Sequence, residues 1–305
     1  MTENFTPPGL LKTAVLFLVF NRPDTTARVF EAIRQAKPPR LYVAADGPRE
    51  GREGEAERVA KVREIATSVD WPCEVNTLFR ELNLGCKVAV SGAITWFFEH
   101  EEQGIILEDD CLPSSSFFGF CESMLERFRE DKSIWMINGF NPRYPSASSS
   151  KCFLSQNPSV WGWASWRDRW ARYDVGLFSW NPKIKLGLHD RVPKYVHRYY
   201  KKVFQNTQKG LIDTWDYQLT SLILINNGFV IKPYANLISN IGIIGTHAGK
   251  KDLNHFVGLG KFSNEHDPDC TFELGQDLWF YRTRIKKSIL SYPLRILKKI
   301  KNIIF

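Results

Sequence analysis

Short, unbroken apolar runs alternate with longer amphipathic stretches through the first third of the chain. Residues 14–20, 41–45, 74–79 and 104–107 each read as a strand. The first and last of these are apolar at every position, as strands covered on both faces of a parallel sheet are. Between the first two, Ala27, Phe30, Ile33 and Ala36 give one core face to a helix expected to start at an Asp24 N-cap and run to Gln35. Lys37-Pro38-Pro39 ends it. A charged helix is expected over residues 52–68 and another over 86–99. Strands alternating with helices predict βαβ units and an α/β fold with a mostly parallel central sheet.

The pattern then becomes more varied. Residues 114–130 predict an amphipathic helix with Phe117, Phe118, Cys121, Leu125 and Phe128 inward, and residues 134–137 a short strand. Residues 144–150 are rich in Pro and Ser and read as a loop. Trp163, Trp166 and Trp170 fall at helical spacing, which predicts packing on one helix face. Trp161-Gly162-Trp163 reads as a tight turn, where Gly lets the backbone approach a ligand and an indole can stack on a sugar face. Helices are expected over residues 189–205 and 214–227, and a strand over 229–231. A Gly-rich loop over residues 239–249 carries His247 near its end.

Charge adds one feature to this outline. The net charge of +8 equals the number of basic residues in the last 25 positions, which hold no Asp or Glu, so the rest of the chain is neutral. Residues 281–305 repeat Ile and Leu beside Lys and Arg, a pattern that fits a helix lying on an anionic membrane surface, with Pro293 breaking it into two pieces. The apolar face argues against a nucleic-acid tail. The six Cys are scattered without a C-x-x-C pair, which excludes metal fingers and a small disulfide scaffold. Residues 1–8 lack the charged and apolar regions of a signal peptide, so the expectation is a cytosolic chain with reduced thiols.

The candidate chemistry centres on Glu108-Asp109-Asp110, three carboxylates directly after an apolar strand. Ligands of open α/β sheets gather at the carboxyl ends of such strands. Alternation in a strand would put Glu108 and Asp110 on one face and Asp109 on the other, and their mutual repulsion calls for a cation such as Mn2+ or Mg2+. A solvated acidic turn is the plainer alternative. Asp46, after the second strand, could accept a nucleobase N–H or simply form an Asp-Gly turn. Arg22 follows the first strand. Asp216 lies among aromatic residues and suits a general base, although it and Asp213 also fit the first turn of a helix.

In its ordered motifs the chain resembles nucleotide-sugar glycosyltransferases of the GT-A fold, most of all the N-acetylglucosaminyltransferase I type and its bacterial relatives. The motifs are Phe20-Asn21-Arg22-Pro23, Ala45-Asp46-Gly47, Arg80-Glu81-Leu82-Asn83-Leu84-Gly85, Ile106-Leu107-Glu108-Asp109-Asp110 with Pro113, Trp161-Gly162-Trp163 and Trp215-Asp216. The resemblance implies that Asp110, and more loosely His247, would hold Mn2+ or Mg2+ with the donor diphosphate. Glu108 and Asp109 would meet ribose and sugar hydroxyls, Asp46 the uracil, and Arg22 the nucleotide. Asn21, Arg80, Asn83, Gly85, Lys87, Trp161, Gly162 and Trp163 would complete the nucleotide-sugar site. Asp216 would deprotonate the acceptor hydroxyl with inversion at the sugar. The implied division is a catalytic domain at residues 1–250 (nucleotide half 10–112, acceptor half 113–250), an extension at 251–280 and the basic tail. The implied partners are a UDP-sugar, a surface glycan or glycolipid acceptor and the inner face of the cytoplasmic membrane, in a bacterial enzyme. A sugar-nucleotide nucleotidyltransferase and a non-catalytic nucleotide- or sugar-binding protein are the rival classes.

Overall fold

The computed structural model describes residues 11–145, 147–242, 257–263 and 270–286. The apolar runs pair side by side. β1 (Ala14–Val19) lies between β2 (Arg40–Ala45) and β4 (Gln103–Glu108), and β3 (Glu74–Phe79) continues beyond β2, all parallel. The crossovers are α1 (Pro23–Ala36), α2 (Glu55–Thr67) and α3 (Gly85–His100). Next come β5 (Cys111–Pro113), α4 (Phe117–Arg127), β6 (Ile134–Asn138), β7 (Ser148–Ser149), β8 (Cys152–Ser155), β9 (Trp163–Trp166) and the single turn α5 (Arg167–Trp170). α6 (Lys194–Gln208), α7 (Asp216–Ile225), β10 (Phe229–Pro233), β11 (Ile238–Asn240), β12 (Lys261–Phe262), β13 (Thr271–Phe272) and α8 (Leu274–Phe280) follow, the last running into a π-helical turn, Tyr281–Ile285. Among the described residues the main sheet has nine strands in the order β13-β8-β10-β6-β9-β4-β1-β2-β3. β9 runs antiparallel to both β4 and β6, so β1, β2, β4, β6 and β10 all point the same way.

Both faces of this α/β sheet are covered, as the unbroken apolar strands predict. Val15, Phe17 and Val19 of β1 join one core with α1, α2 and α4, while Leu16 and Leu18 join a second core with α3 and α7. A third cluster fills the space between α6, the end of α7 and the π turn, and it buries Tyr281 and Ile285. Ile285 falls in the segment 281–305 read from sequence as the basic tail, yet it is 5% exposed within the fold. Residues 287–305 lie outside the described residues.

Four expectations are corrected. Trp163–Trp166 is a strand, not a helix face: Trp163 points into the second core and Trp166 into the first, the opposite-face alternation of a strand. The expected packing role holds; the period does not, because pairing to two neighbours overrides the i, i+3 coincidence. Asp24 is not the cap of α1. Arg22 holds that position, Pro23 opens the helix where the N–H it lacks would have had no partner, and Asp24 sits in the first turn. The loop at 144–150 contains β7, and β11 begins the Gly-rich segment, whose residues 243–249 lie outside the described residues. Finally, Cys152 and Cys270 form a disulfide with Cα atoms 5.0 Å apart, against the expectation of reduced thiols. The parallel pairing of β13 with β8 sets Phe153 opposite Thr271 and so brings the two preceding cysteines together. A separation of 118 residues hid the pair in the sequence.

Candidate functional site

The carboxylates of residues 108–110 stand at the end of β4, beside the end of β1. The strand stops at Glu108, so the alternation expected for the triplet is not carried through. Asp109 and Asp110 instead turn onto the same cation. Arg22 reaches Asp109 Oδ1 at 2.9 Å and Asp110 Oδ2 at 2.7 Å. Asp109 is 2% exposed and also accepts the Phe20 N–H at 3.1 Å. One guanidinium thus faces three carboxylates. Burial, followed by Asp110 and Asp109, pushes Glu108 up to about 8 against the pull of Arg22. Burial raises Asp109 to about 7, opposed by Arg22.

β11 closes this corner. It pairs with β5, and the Ile241 N–H donates to the Asp110 carbonyl at 2.8 Å. A methyl group added at Gly242 would lie 2.5 Å from Asp110 Oδ2 and 2.8 Å from an Arg22 nitrogen. The chain therefore passes directly over the ion pair, and a side chain there would have to displace the Asp110 carboxylate and the Arg22 guanidinium. His247 follows outside the described residues.

Near the carboxylates, α7 begins with Asp216, whose Oδ1 accepts the Thr214 hydroxyl. Asp216 lies close enough to Glu108, Cys86, Tyr173 and Tyr217 to act on each electrostatically. Tyr173 fixes the start of α7 by donating to the Trp215 carbonyl at 2.9 Å. Cys86, at the start of α3, sits among Glu108, Asp216, Asp213 and Asp46; burial and these charges push its thiol up to about 12. The result is an acidic cluster near the carboxyl ends of β1, β2 and β4, in which Glu108 and Asp216 lie within electrostatic reach of each other.

Other expected site residues serve the scaffold. The Asp46 carboxylate is already engaged by backbone: Leu84 N–H at 2.9 Å, Gly85 N–H at 3.0 Å and its own neighbour Gly47 at 3.0 Å. These bonds occupy the lone pairs that would have read a nucleobase, so Asp46 pins the start of α3. Asn83 Nδ2 donates to the Gly47 carbonyl at 2.8 Å and tightens the same loop pair. Asn21 Nδ2 donates to buried Glu55 at 2.7 Å. Arg80 lies along α3 and reaches the Ala89 carbonyl at 3.2 Å, while Gly85 and Lys87 stand half-buried in that helix's first turn.

Of the aromatic turn, Trp163 is 1% exposed and stacked near Trp215, so it is core and not a sugar platform. Gly162 has φ +58, and the space a methyl would take is filled by Ile238, 2.2 Å away, rather than held open for a ligand. Trp161 alone of the three keeps an accessible edge, packed against Phe140 with centroids 4.7 Å apart. Glu55, Cys86, Tyr173, Asp213 and Thr214 were not singled out for the site by sequence. Only Asp213, in the predicted first turn beside Asp216, carried a signal that could have found it.

Hard oxygen donors beside an excess of negative charge suit a divalent cation. Among the described residues no group of three or more His, Cys, Asp or Glu is arranged to hold a metal. No helix among the described residues is long and apolar enough to cross a membrane.

No protein-family model matches the chain, and no curated protein sequence matches it. Among solved structures the chain is similar to GalNAc-T7 solved with UDP, GalNAc and Mn2+, at 11% identity and a TM-score of 0.44 over 73% of this chain. It spans 42% of that protein's length. It is also similar to an apo UDP-glucose pyrophosphorylase, at 8% identity and a TM-score of 0.38, covering 76% of this chain and 93% of the other. HddC from Yersinia pseudotuberculosis matches at 11% identity and a TM-score of 0.29, over 51% of this chain and 77% of its own.

Proposed function

We propose that the chain is a metal-dependent glycosyltransferase of the GT-A kind, moving a sugar from a UDP-sugar to a hydroxyl of a surface glycan or glycolipid. The observation that carries this reading is the acidic cluster in which Glu108–Asp110, paired with Arg22, lie within electrostatic reach of Asp216 at the start of α7. Displacement at a sugar carbon needs opposite things on its two sides. The leaving diphosphate needs positive charge, and the attacking hydroxyl needs a proton acceptor. Asp110, with Glu108 beside it, would hold Mn2+ or Mg2+, which as a Lewis acid offsets the charge developing on the leaving diphosphate. Arg22 fixes Asp109 and Asp110 in place through an ion pair to each. Thr214 and Tyr173 hold the start of α7, so that the Asp216 carboxylate can take the proton of the acceptor hydroxyl. A sugar held between the carboxylates and Asp216 would be attacked from the Asp216 side, which would give inversion. The basic segment beyond residue 286 would keep the enzyme at the anionic inner face of a membrane, where a lipid-linked acceptor is presented.

The test is calorimetric titration with UDP, with and without Mn2+, on the wild type, Asp110→Ala and Asp216→Asn. Metal-dependent binding that disappears in Asp110→Ala and survives in Asp216→Asn is the expected result, with transfer from a UDP-sugar lost in both. UDP binding that is indifferent to the metal and to Asp110 would overturn the scheme.

A further inference from the structure

The other half of the sheet carries a second polar constellation that the proposed reaction does not use. A small pocket opens between β8, β10 and α8, lined among others by Asn157, Lys232, Asp277, Trp279 and Phe280. Its closed end admits little more than one hydroxyl or water, and the remainder is open to solvent. Lys232 is 4% exposed and Asn157 2%. Among the described residues neither the Lys232 Nζ nor the Asn157 carboxamide makes a hydrogen bond, and no carboxylate lies within ion-pair distance of Lys232. Both polar ends meet the solvent of the pocket, so a ligand that hydrogen-bonds to them takes the place of water there.

The remaining lining narrows what that something is. Asp277 is 1% exposed and accepts the Ser155 hydroxyl at 2.5 Å and the Gln156 N–H at 2.8 Å, with lone pairs to spare. Burial lowers Lys232 to about 8, and Asp277 works against that shift. Trp279 is half-buried, and the Phe280 ring lies 5.7 Å from Lys232 Nζ. A simple anion would meet the Asp277 charge as well as the lysine, and an apolar ligand would leave the lysine bare. A sugar hydroxyl can accept from the ammonium and donate to the carboxylate at once, while the C–H face of the ring packs on an indole.

We infer that this pocket is a carbohydrate subsite, taking the hydroxylated edge of a sugar ring between Lys232, Asp277 and Asn157 with Trp279 against its face. Its assignment to the acceptor rests on the glycosyltransferase reading. β10 and β4 point the same way with β6 and β9 between them, so three strand spacings, roughly 14 Å, separate the pocket from the carboxylates. The ring bound here is therefore a remote unit of an oligosaccharide acceptor, not the unit that reacts.

Saturation-transfer NMR tests this on the full chain. The probes are the methyl glycosides of glucose, galactose, mannose and N-acetylglucosamine, and free glucuronate, each with and without UDP and Mn2+. At least one probe is expected to give a signal that UDP does not displace. That signal should fall several-fold in Lys232→Met and in Trp279→Ala, with UDP affinity unchanged. Silence from every probe with the wild type, or a signal that survives both substitutions, would overturn the subsite and leave a bound water. If Lys232→Met does not fold, the half-buried Trp279 decides alone. Probe binding that behaves as expected in a protein with no affinity for UDP would keep the subsite and sink the donor chemistry instead.

Discussion

Glu55 is 1% exposed, and Arg49 donates to its carboxylate through both its guanidinium and its backbone N–H, the latter at 2.7 Å. Led by the hydrogen bond from the Arg49 side chain, its partners hold it down at about 2, below the usual carboxylate range. A carboxylate whose folded pKa is depressed adds stability that is complete above its unfolded value and lost as pH falls towards the folded one. The loss therefore runs from about 4.5 to about 2. Arg49 is partly open to solvent, which screens the pair, so the contribution is on the order of 1–2 kcal/mol. Glu55→Gln is expected to lower the melting temperature at pH 7 and to flatten its decline between pH 4.5 and pH 2. An unchanged acid slope would show that Glu55 carries no such term. Nothing in the local sequence marks Glu55 out from the other acids of its charged helix, because its burial comes from Asn21 and Arg49, which the fold brings to it. The triplet at 108–110 was legible for the opposite reason: its neighbours in sequence are the strand that aims it.

At the level of elements, α3 depends on a residue outside itself. It has no side-chain cap of its own, and the first backbone N–H groups find their acceptor in Asp46, 38 residues earlier. Asp46→Ala would leave the Leu84 and Gly85 amides without partners, at a cost of about 1–3 kcal/mol. Urea denaturation should register that loss, and amide exchange should quicken at those two residues; native protection there would assign the anchoring to another group. The long elements were readable because each carries its whole signal locally, an apolar run or a 3.6-residue period. β5, β7, β11, β12 and β13 are two or three residues long, and only their partners make them strands. The tryptophan segment was misread because 163, 166 and 170 satisfy a helical spacing by coincidence, while its true environment is two flanking strands.

For the whole molecule, the boundary of the folded body falls later than the basic composition suggests. Tyr281 is fully buried and Ile285 nearly so in the cluster formed with α6, so the chain cut before 281 loses core, whereas the chain cut after 286 loses none of the described packing. Truncation after Lys286 is expected to leave the melting temperature unchanged and to abolish binding to phosphatidylserine vesicles. Truncation before Tyr281 should lower the melting temperature by several degrees. Vesicle binding that survives the shorter cut would place the membrane contact elsewhere.

The strand order also has a consequence in time. β1 to β4 form one contiguous block of the sheet in the order β4-β1-β2-β3, but β4 finds its other partner only in β9, and Asp110 is roofed only when Gly242 arrives. During synthesis the amino-terminal half can pair as soon as it leaves the ribosome, while β4 waits with an open edge for residues that have yet to be translated. Chains arrested between β6 and β9 would therefore expose a sticky half-sheet with no completed acidic cluster. The corner around Asp110 is complete only after residue 242 has been made, long after the strand that aims its carboxylates.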